Sequence, residues 1–536
     1  MTRRSGSRNT SPSGARAGRG ARSVSRPRAR RAARPAQPAR RVLFLINEVE
    51  PLVKVGGLAD VGAGLPAALR ELGLDVRVAM PLHPSMRPLL KGERPASTLR
   101  IPSTAGPQSA AIYLHRLGRV PLWIIDGPPL RDADLVYHSR PEEDAPKLVF
   151  ASIAALTYAQ HSRWVPHVVH ANDWHNAAAL YWMRLAESAR DVFAASAGLL
   201  SIHNLPYLGR NAGAALRTYG LPLPSQPDGP PAHAGSAFGL VPEWARDAML
   251  ALGIATADRV VAVSPTYARE ILTPEYGSGL DGLLRARHAV LDGILNGLDS
   301  RIWDPARDLR LRVRFDADRL ERRTENTAAL RSAFSLVSDL ARPLAGIVSR
   351  LDRQKGLDYA LPALESWLAA GGQVVVLGSG DPELERAYAE FGERHPGHVG
   401  VRLGYDPQLA AHIYGGAHLL VMPSRYEPCG VSQMIAMRYG CLPLVRSTGG
   451  LRDTVRDAGQ PGGTGVVFDE ATPEALAQAL TRAMSLFGQR SRWRAVQLRA
   501  MKRDFGWTRP AREYLQAYTH ALRARAHAAK AAQEGR

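Results

Sequence analysis

RVLFLINEVEPLVKVGGLADVGAGLPAALRELGLDVRVAMP, residues 41–81, is the stretch whose pattern decides the fold. Its first eight residues, Arg41 to Glu48, form a short apolar run that reads as a buried strand. Gly56-Gly57 turn the chain into a helical pattern that Gly73 ends, and a second strand starts at Asp75. Strand, glycine turn, helix and strand within about 40 residues make a βαβ unit, which implies a parallel sheet.

The alternation continues outward. VPLWIID, the helical KLVFASIAALTYAQ, HVVHAND, GLLSIHN and RVVAVSP extend the first series. PLAGIVSR, QVVVLGSG, HVGVRLG, HLLVMPS, LPLVRST and TGVVFD form a second, spaced by helical stretches such as GLDYALPALESWLAA. Continuous apolar strands between helices belong to sheets covered on both faces. The expected fold is α/β with two Rossmann-like domains, residues 41–298 and 299–506. A helix with a frayed basic end is expected over 507–536, and a disordered basic tail over 1–40.

At 536 residues the chain is too long for one core, and its 45% hydrophobic and 22% charged content is that of an ordinary globular protein. The net charge of +20 invites a nucleic-acid reading, but 13 arginines and no acidic residue fall within residues 1–41, which leaves only about +7 elsewhere. The tail reads as an inert extension, a polyanion-binding arm or an organelle transit peptide, and nucleic-acid contact is not the expected role. Two cysteines, Cys429 and Cys441, suit neither a disulfide framework nor a zinc site. No apolar run is long enough to span a bilayer, so no membrane partner is expected and the cytoplasm is the expected setting, with organelle import as the alternative.

In such sheets ligands bind beyond the carboxyl ends of strands, so the loops after each strand carry the functional argument. The first holds Lys54, Gly56 and Gly57 at a helix start, a place to approach an anion or a hydroxylated ligand, or simply a glycine turn. His170, Asp173 and His175, then His203, follow two later strands without metal-ligand spacing such as HExxH, so no metal cofactor is expected. Asn296, before Gly297, is either a turn residue or an amide able to bind sugar hydroxyls from both sides. Arg350 and Lys355 flank one strand-to-helix loop, where both cations can converge on a diphosphate. Glu427, Cys429 and Gly430 lie where HLLVMP enters a helix: the carboxylate can accept from sugar hydroxyls and the helix start can face a phosphate.

Together these loops resemble those of the bacterial glycogen synthases and plant starch synthases. The most specific pieces are Lys54 to Val61, Val263 to Glu270, Ser349-Arg350-Leu351 with Gln354 to Asp358, and Pro423 to Gly430. The resemblance covers roughly Arg41 to Thr508. It implies a GT-B fold whose two domains face an active-site cleft, and a glycosyltransferase moving glucose from ADP-glucose to the non-reducing end of an α-1,4-glucan with retention of configuration. It also implies roles. Lys54, Gly56 and Gly57 approach the donor phosphates and sugar, Asp173, His203 and Asn296 the glucosyl unit, and Arg350 and Lys355 the diphosphate. Glu427 and the Cys429-Gly430 backbone bind the glucose.

Without a metal, these cations take over the stabilisation of the departing diphosphate, and each preorganised charge of this kind is worth about 3–4 kcal/mol. The sequence also departs from the family pattern at Val55, Asn172, Ala251, Thr327 and over residues 132–144. The departures in the first domain bear on the acceptor more than on the donor. A synthase acting on a small acceptor, in the manner of maltose-1-phosphate synthesis, and a catalytically degenerate glucan-binding protein are the alternative readings.

Overall fold

The computed structural model describes residues 40–131, 133–224 and 237–534, with side chains to residue 530. The expected basic tail, residues 1–39, lies outside the described residues. Two sheets organise the chain. The first contains β1 (Arg41–Leu45), β2 (Asp75–Pro81), β3 (Ser97–Ile101), β4 (Gln108–Leu117), β5 (Val120–Asp126), β6 (Val168–Asn172), β7 (Ala197–Ile202), β8 (Arg259–Ala262) and β9 (Leu291–Gly293). Its strand order is β3-β4-β5-β2-β1-β6-β7-β8-β9. The second contains β10 (Leu344–Val348), β11 (Gln373–Gly378), β12 (Val399–Leu403), β13 (Leu419–Met422), β14 (Leu442–Arg446) and β15 (Val466–Phe468), in the order β12-β11-β10-β13-β14-β15.

The second sheet is wholly parallel. The first is parallel from β5 to β9 but carries an antiparallel edge, because β4 runs against both β3 and β5. The strand pattern of the sequence does not announce β3 and β4. Along β4 the buried positions stop after Ile112 and half-exposed and exposed ones take over, so no continuous apolar run marks it. The two-residue turn Gly118-Arg119, with Gly118 at φ +57°, closes the β4–β5 hairpin.

Both faces of β1 are covered, as its unbroken apolar run requires. Val42 and Phe44 pack into the cluster that holds Leu58, Leu65 and Leu69 of the helix Leu58–Glu71. Leu43 and Leu45 turn to the opposite cluster, with Leu148, Ile153 and Leu180. The C-terminal helix, Thr508–Glu534, lies on the first of these faces, with Tyr514 and Tyr518 buried there. Their hydroxyls reach inward to Ser201, at 3.1 Å, and to His170, at 2.8 Å, so His170 is a satisfied core histidine.

The chain thus leaves the second sheet and returns to the first. The crossing is locked where Leu298 N–H donates to the Phe505 carbonyl at 2.7 Å and the Trp507 ring packs on Gly64 and Gly297, at each of which a Cβ would collide with the indole. Among the described residues no helix is long and apolar enough to cross a membrane.

Candidate active site

Strand order fixes where ligands bind. In the first sheet β2 lies on one side of β1 and β6 on the other, and in the second sheet β11 and β13 flank β10 in the same way. At such a reversal the loops after the two central strands part, and a crevice opens between them. The four loops concerned carry Lys54, Gly56 and Gly57 after β1, Asp173 after β6, Arg350 and Lys355 after β10, and Glu427, Cys429 and Gly430 after β13.

The loop after β1 is shaped from beneath. Glu48 is 3% exposed, and its Oε2 accepts the N–H groups of Val55 at 2.7 Å and Gly56 at 2.9 Å while Oε1 accepts the Tyr137 hydroxyl at 2.7 Å. Those amides are spent on the carboxylate, and at the start of the helix Leu58–Glu71 the Ala59 N–H donates to the Gly56 carbonyl at 3.3 Å. Lys54 pairs with Asp60 at 3.0 Å and Glu50 at 3.3 Å. Burial pulls its pKa down, but the two carboxylates outweigh that effect and raise it, so the ammonium stays charged.

The neighbouring loops of the first half follow β6 and β7. Asp173 opens the helix Asp173–Leu185 at φ +54°, and its Oδ1 accepts the N–H groups of His203 at 2.7 Å and Asn204 at 3.3 Å. Burial pushes its pKa up to about 7 against the pull of those two amides. Burial also takes His203 down to about 3, so its imidazole is neutral.

In the second half Lys355 Nζ lies 2.7 Å from Glu427 Oε2, which also accepts the Ser424 hydroxyl at 3.0 Å. Gly356, at φ +70°, lets the chain turn at this point, since a Cβ there would strike the Pro423 carbonyl. Arg350 pairs with Asp352 at 3.0 Å and donates to Gln354 at 3.0 Å. Burial lowers its pKa, and Asp352, Tyr207 and Glu427 more than reverse that shift. Gly449 and Gly450 serve close approach, because side chains there would collide with the Glu427 and Cys429 carbonyls.

The two halves meet at these loops. A Cβ on Gly57 would stand 3.8 Å from Val431, one residue beyond Gly430. The Asn296 backbone amide approaches the Cys429 thiol, whose pKa burial pushes up to about 12, and Ser264 donates to the Pro428 carbonyl at 2.6 Å. The Oδ1 atoms of Asn204 and Asn296 are buried without a partner among the described residues, which leaves both amides able to accept from hydroxyl groups.

The eleven residues expected from sequence therefore all lie on loops past strand ends, and the loops of the two halves touch at Gly57 and Val431, Asn296 and Cys429, and Ser264 and Pro428. Among the described residues no three His, Cys, Asp or Glu side chains cluster as a metal site would require. Glu48, Asn172, Ser264, Tyr267 and Glu270 were not singled out as site residues. Glu48 and Asn172 could have been, since each stands at or just past the end of a switch-point strand.

Two Rossmann-like halves bring loops with paired cations and carboxylates past the ends of their switch-point strands, an arrangement suited to an anionic, hydroxylated ligand. Comparison with known proteins narrows this. The starch synthase catalytic domain family matches residues 41–286, and the glycosyl transferases group 1 family matches residues 331–496. A glycogen synthase of Thioalkalivibrio sulfidiphilus is 41% identical over 504 residues, covering 89% of this chain and 99% of that protein. One of Gloeobacter violaceus is also 41% identical, over 485 residues, covering 89% of this chain and 98% of that protein. The catalytic domain of Arabidopsis thaliana starch synthase IV, solved with ADP and acarbose, superposes with a TM-score of 0.81 at 30% identity, covering 90% of this chain and 99% of that one. A sucrose-phosphate synthase of Thermosynechococcus elongatus, at 20% identity and a TM-score of 0.55, shares the fold. The chain belongs to the family of bacterial glycogen synthases and plant starch synthases and is a hexosyltransferase.

Proposed function

We propose that the protein transfers the glucosyl unit of ADP-glucose to the non-reducing end of an α-1,4-glucan, with retention and without a metal. The observation that carries this reading is the Lys355–Glu427 pair at 2.7 Å, with Arg350 on the same strand-to-helix loop and near enough to Glu427 for that carboxylate to help raise its pKa. The cations balance the departing diphosphate, the start of the helix Leu58–Glu71 adds its N–H groups, and Glu427 and the Asn204 and Asn296 amides accept and donate to sugar hydroxyls. Burial takes His203 to about 3, too low for an effective base, so it orients the sugar, and the leaving phosphate oxygen takes the acceptor's proton on the same face.

ADP as the nucleotide is supported by the ADP named for the Arabidopsis relative, and the glucan acceptor by the relatives' designation as glycogen synthases. A cytoplasmic setting belongs to the same reading and is supported by two free, buried cysteines.

The test is release of ADP from ADP-glucose by the purified chain, with and without a malto-oligosaccharide, with UDP-glucose as control and EDTA present in a parallel series. Glucan-dependent release that survives EDTA and falls about a hundredfold or more in Lys355→Ala is expected. Release that needs no glucan, or that follows glucose 1-phosphate instead, would replace the glucan by a small acceptor.

A further inference from the structure

Asn172, the last residue of β6, is fully buried, and its amide is held at both ends. Nδ2 donates to the Leu45 carbonyl at 2.8 Å, and Oδ1 lies 2.9 Å from His203 Nε2. A backbone carbonyl only accepts, so this contact fixes which end of the amide is nitrogen. The Asn176 amide, oriented to satisfy its own bonds, donates to the same Leu45 carbonyl at 3.1 Å and to the Asn172 carbonyl at 3.2 Å.

What faces His203 is therefore an amide oxygen, which cannot donate. The bond exists only if Nε2 carries the hydrogen. The imidazole is neutral and has one ring proton to place, so Nδ1 keeps a bare lone pair. Among the described residues nothing donates to Nδ1, and the ring is half-buried, with the His203 backbone N–H donating to Asp173 Oδ1.

We infer that Asn172 is a positioning residue that fixes His203 as the Nε2–H tautomer, so that Nδ1 can only accept, and accepts from a hydroxyl of the transferred hexosyl unit. The ring thereby favours a sugar that offers a hydroxyl hydrogen at that point, and it has no proton to give there. The second half of the inference rests on the reading of His203 as a sugar-facing group, whereas the tautomer itself does not.

The experiment reads the two halves separately. The full chain is labelled with ¹⁵N in its histidines, and long-range ¹H–¹⁵N spectra are recorded without ligand at about pH 8, where an ordinary histidine is neutral. His203 is the ring whose signals vanish in His203→Gln. In the wild type its protonated nitrogen should be the one coupled to both ring C–H protons, Nε2. Asn172→Asp, which keeps an oxygen in place, should retain that pattern. Asn172→Leu should give a mixture of tautomers and lower kcat about tenfold, roughly the loss of one hydrogen bond, with a smaller change in KM.

A hydrogen on Nδ1 in the wild type, or an unmoved tautomer in Asn172→Leu, overturns the assignment of Asn172. A tautomer that moves while kcat stays constant overturns the contact with the sugar. Should Asn172→Leu fail to fold, the wild-type and Asn172→Asp spectra still decide the tautomer, and the kcat of Asn172→Asp decides the rest.

Discussion

The Lys355 ammonium rests 2.7 Å from the Glu427 carboxylate, with the lysine side chain 19% and the glutamate 7% exposed. In the proposed function a diphosphate at Arg350 shares this lysine with the carboxylate, and the pair holds the lysine in place before the donor binds. Removing either partner leaves the other buried and uncompensated. Lys355→Met and Glu427→Gln should each lower kcat/KM about a hundredfold or more. In thermal melts the double variant should lose less stability than the two single losses added together, with a coupling of about 0.5–3 kcal/mol. Strictly additive losses would show that the two groups act independently.

Glu48 makes a different prediction, since it touches no expected ligand and instead holds the backbone that does. Its carboxylate accepts from Val55, Gly56 and Tyr137 at once. Glu48→Ala frees the two loop amides and unseats the Tyr137 hydroxyl. The KM for ADP-glucose should rise about tenfold or more, because hydrogen bonds to a charged acceptor are worth about 1.5–3 kcal/mol each. Steady-state kinetics at saturating glucan check this, and an unchanged donor KM with a lowered melting temperature would make Glu48 purely structural.

Much of this arrangement is legible in the sequence. The βαβ rhythm places the parallel strands, and the rule that ligands gather past strand ends selects Arg350, Lys355, Asp173 and Glu427. What escaped reading has physical reasons. β4 alternates burial too irregularly to stand out, and the return of the C-terminal helix to the first sheet depends on Trp507 meeting Gly64 and Gly297, residues more than 200 positions apart along the chain in the second case. Glu48, Asn172 and Glu270 each take a partner far along the chain, Tyr137, His203 and Thr448 respectively. No local pattern encodes a partner that only the fold brings near. Gly449 and Gly450 likewise serve contact between loops, since their lack of side chains lets one loop lie on another.

The buried histidines tie stability to pH. Burial lowers His83 to about 4 and both His175 and His203 to about 3, against 6.5 for an ordinary histidine. Below pH 6.5 the unfolded chain therefore takes up protons that the folded chain refuses, and stability falls as pH falls toward those values. Asp173 has the opposite sign. Raised to about 7, it holds a proton in the folded state that the unfolded chain has released, so its contribution is present at low pH and is lost as pH rises through about 7. Each group contributes a slope of about 1.4 kcal/mol per pH unit where its two states differ by one proton. Urea melts at pH 6 and pH 5 should show His203→Gln losing about 1.4 kcal/mol less than the wild type across that unit, and Asp173→Asn losing about as much more. Parallel curves for all three proteins would exclude these two groups as the source of the pH dependence.

The short helix Pro265–Glu270, from the first half, is clamped to the second. Thr266 donates its N–H and hydroxyl to Asp453 at 2.8 and 2.7 Å, and Ser264 donates to the Pro428 carbonyl at 2.6 Å. Glu270 Oε1 accepts the Thr448 hydroxyl at 3.0 Å and the Gly449 N–H at 2.9 Å, at the start of the helix Gly449–Thr454. On the other side of this helix the Tyr267 hydroxyl accepts the Leu205 N–H at 2.9 Å, two residues beyond His203. One helix thus touches the sugar-side loop of the first half and both glycine-lined loops of the second, and it sets how the cleft is held. Glu270→Ala deletes two bonds to a carboxylate, so the cleft should open more readily, while Asp173, His203, Lys355 and Glu427 keep their own contacts. Small-angle scattering of the variant should give a larger radius of gyration than the wild type without ligand, with the difference shrinking when ADP is added. The donor KM should rise about tenfold, as expected when part of the binding energy is diverted to closing the cleft. If the scattering curves coincide and the KM does not move, the clamp is a packing contact with no part in closure.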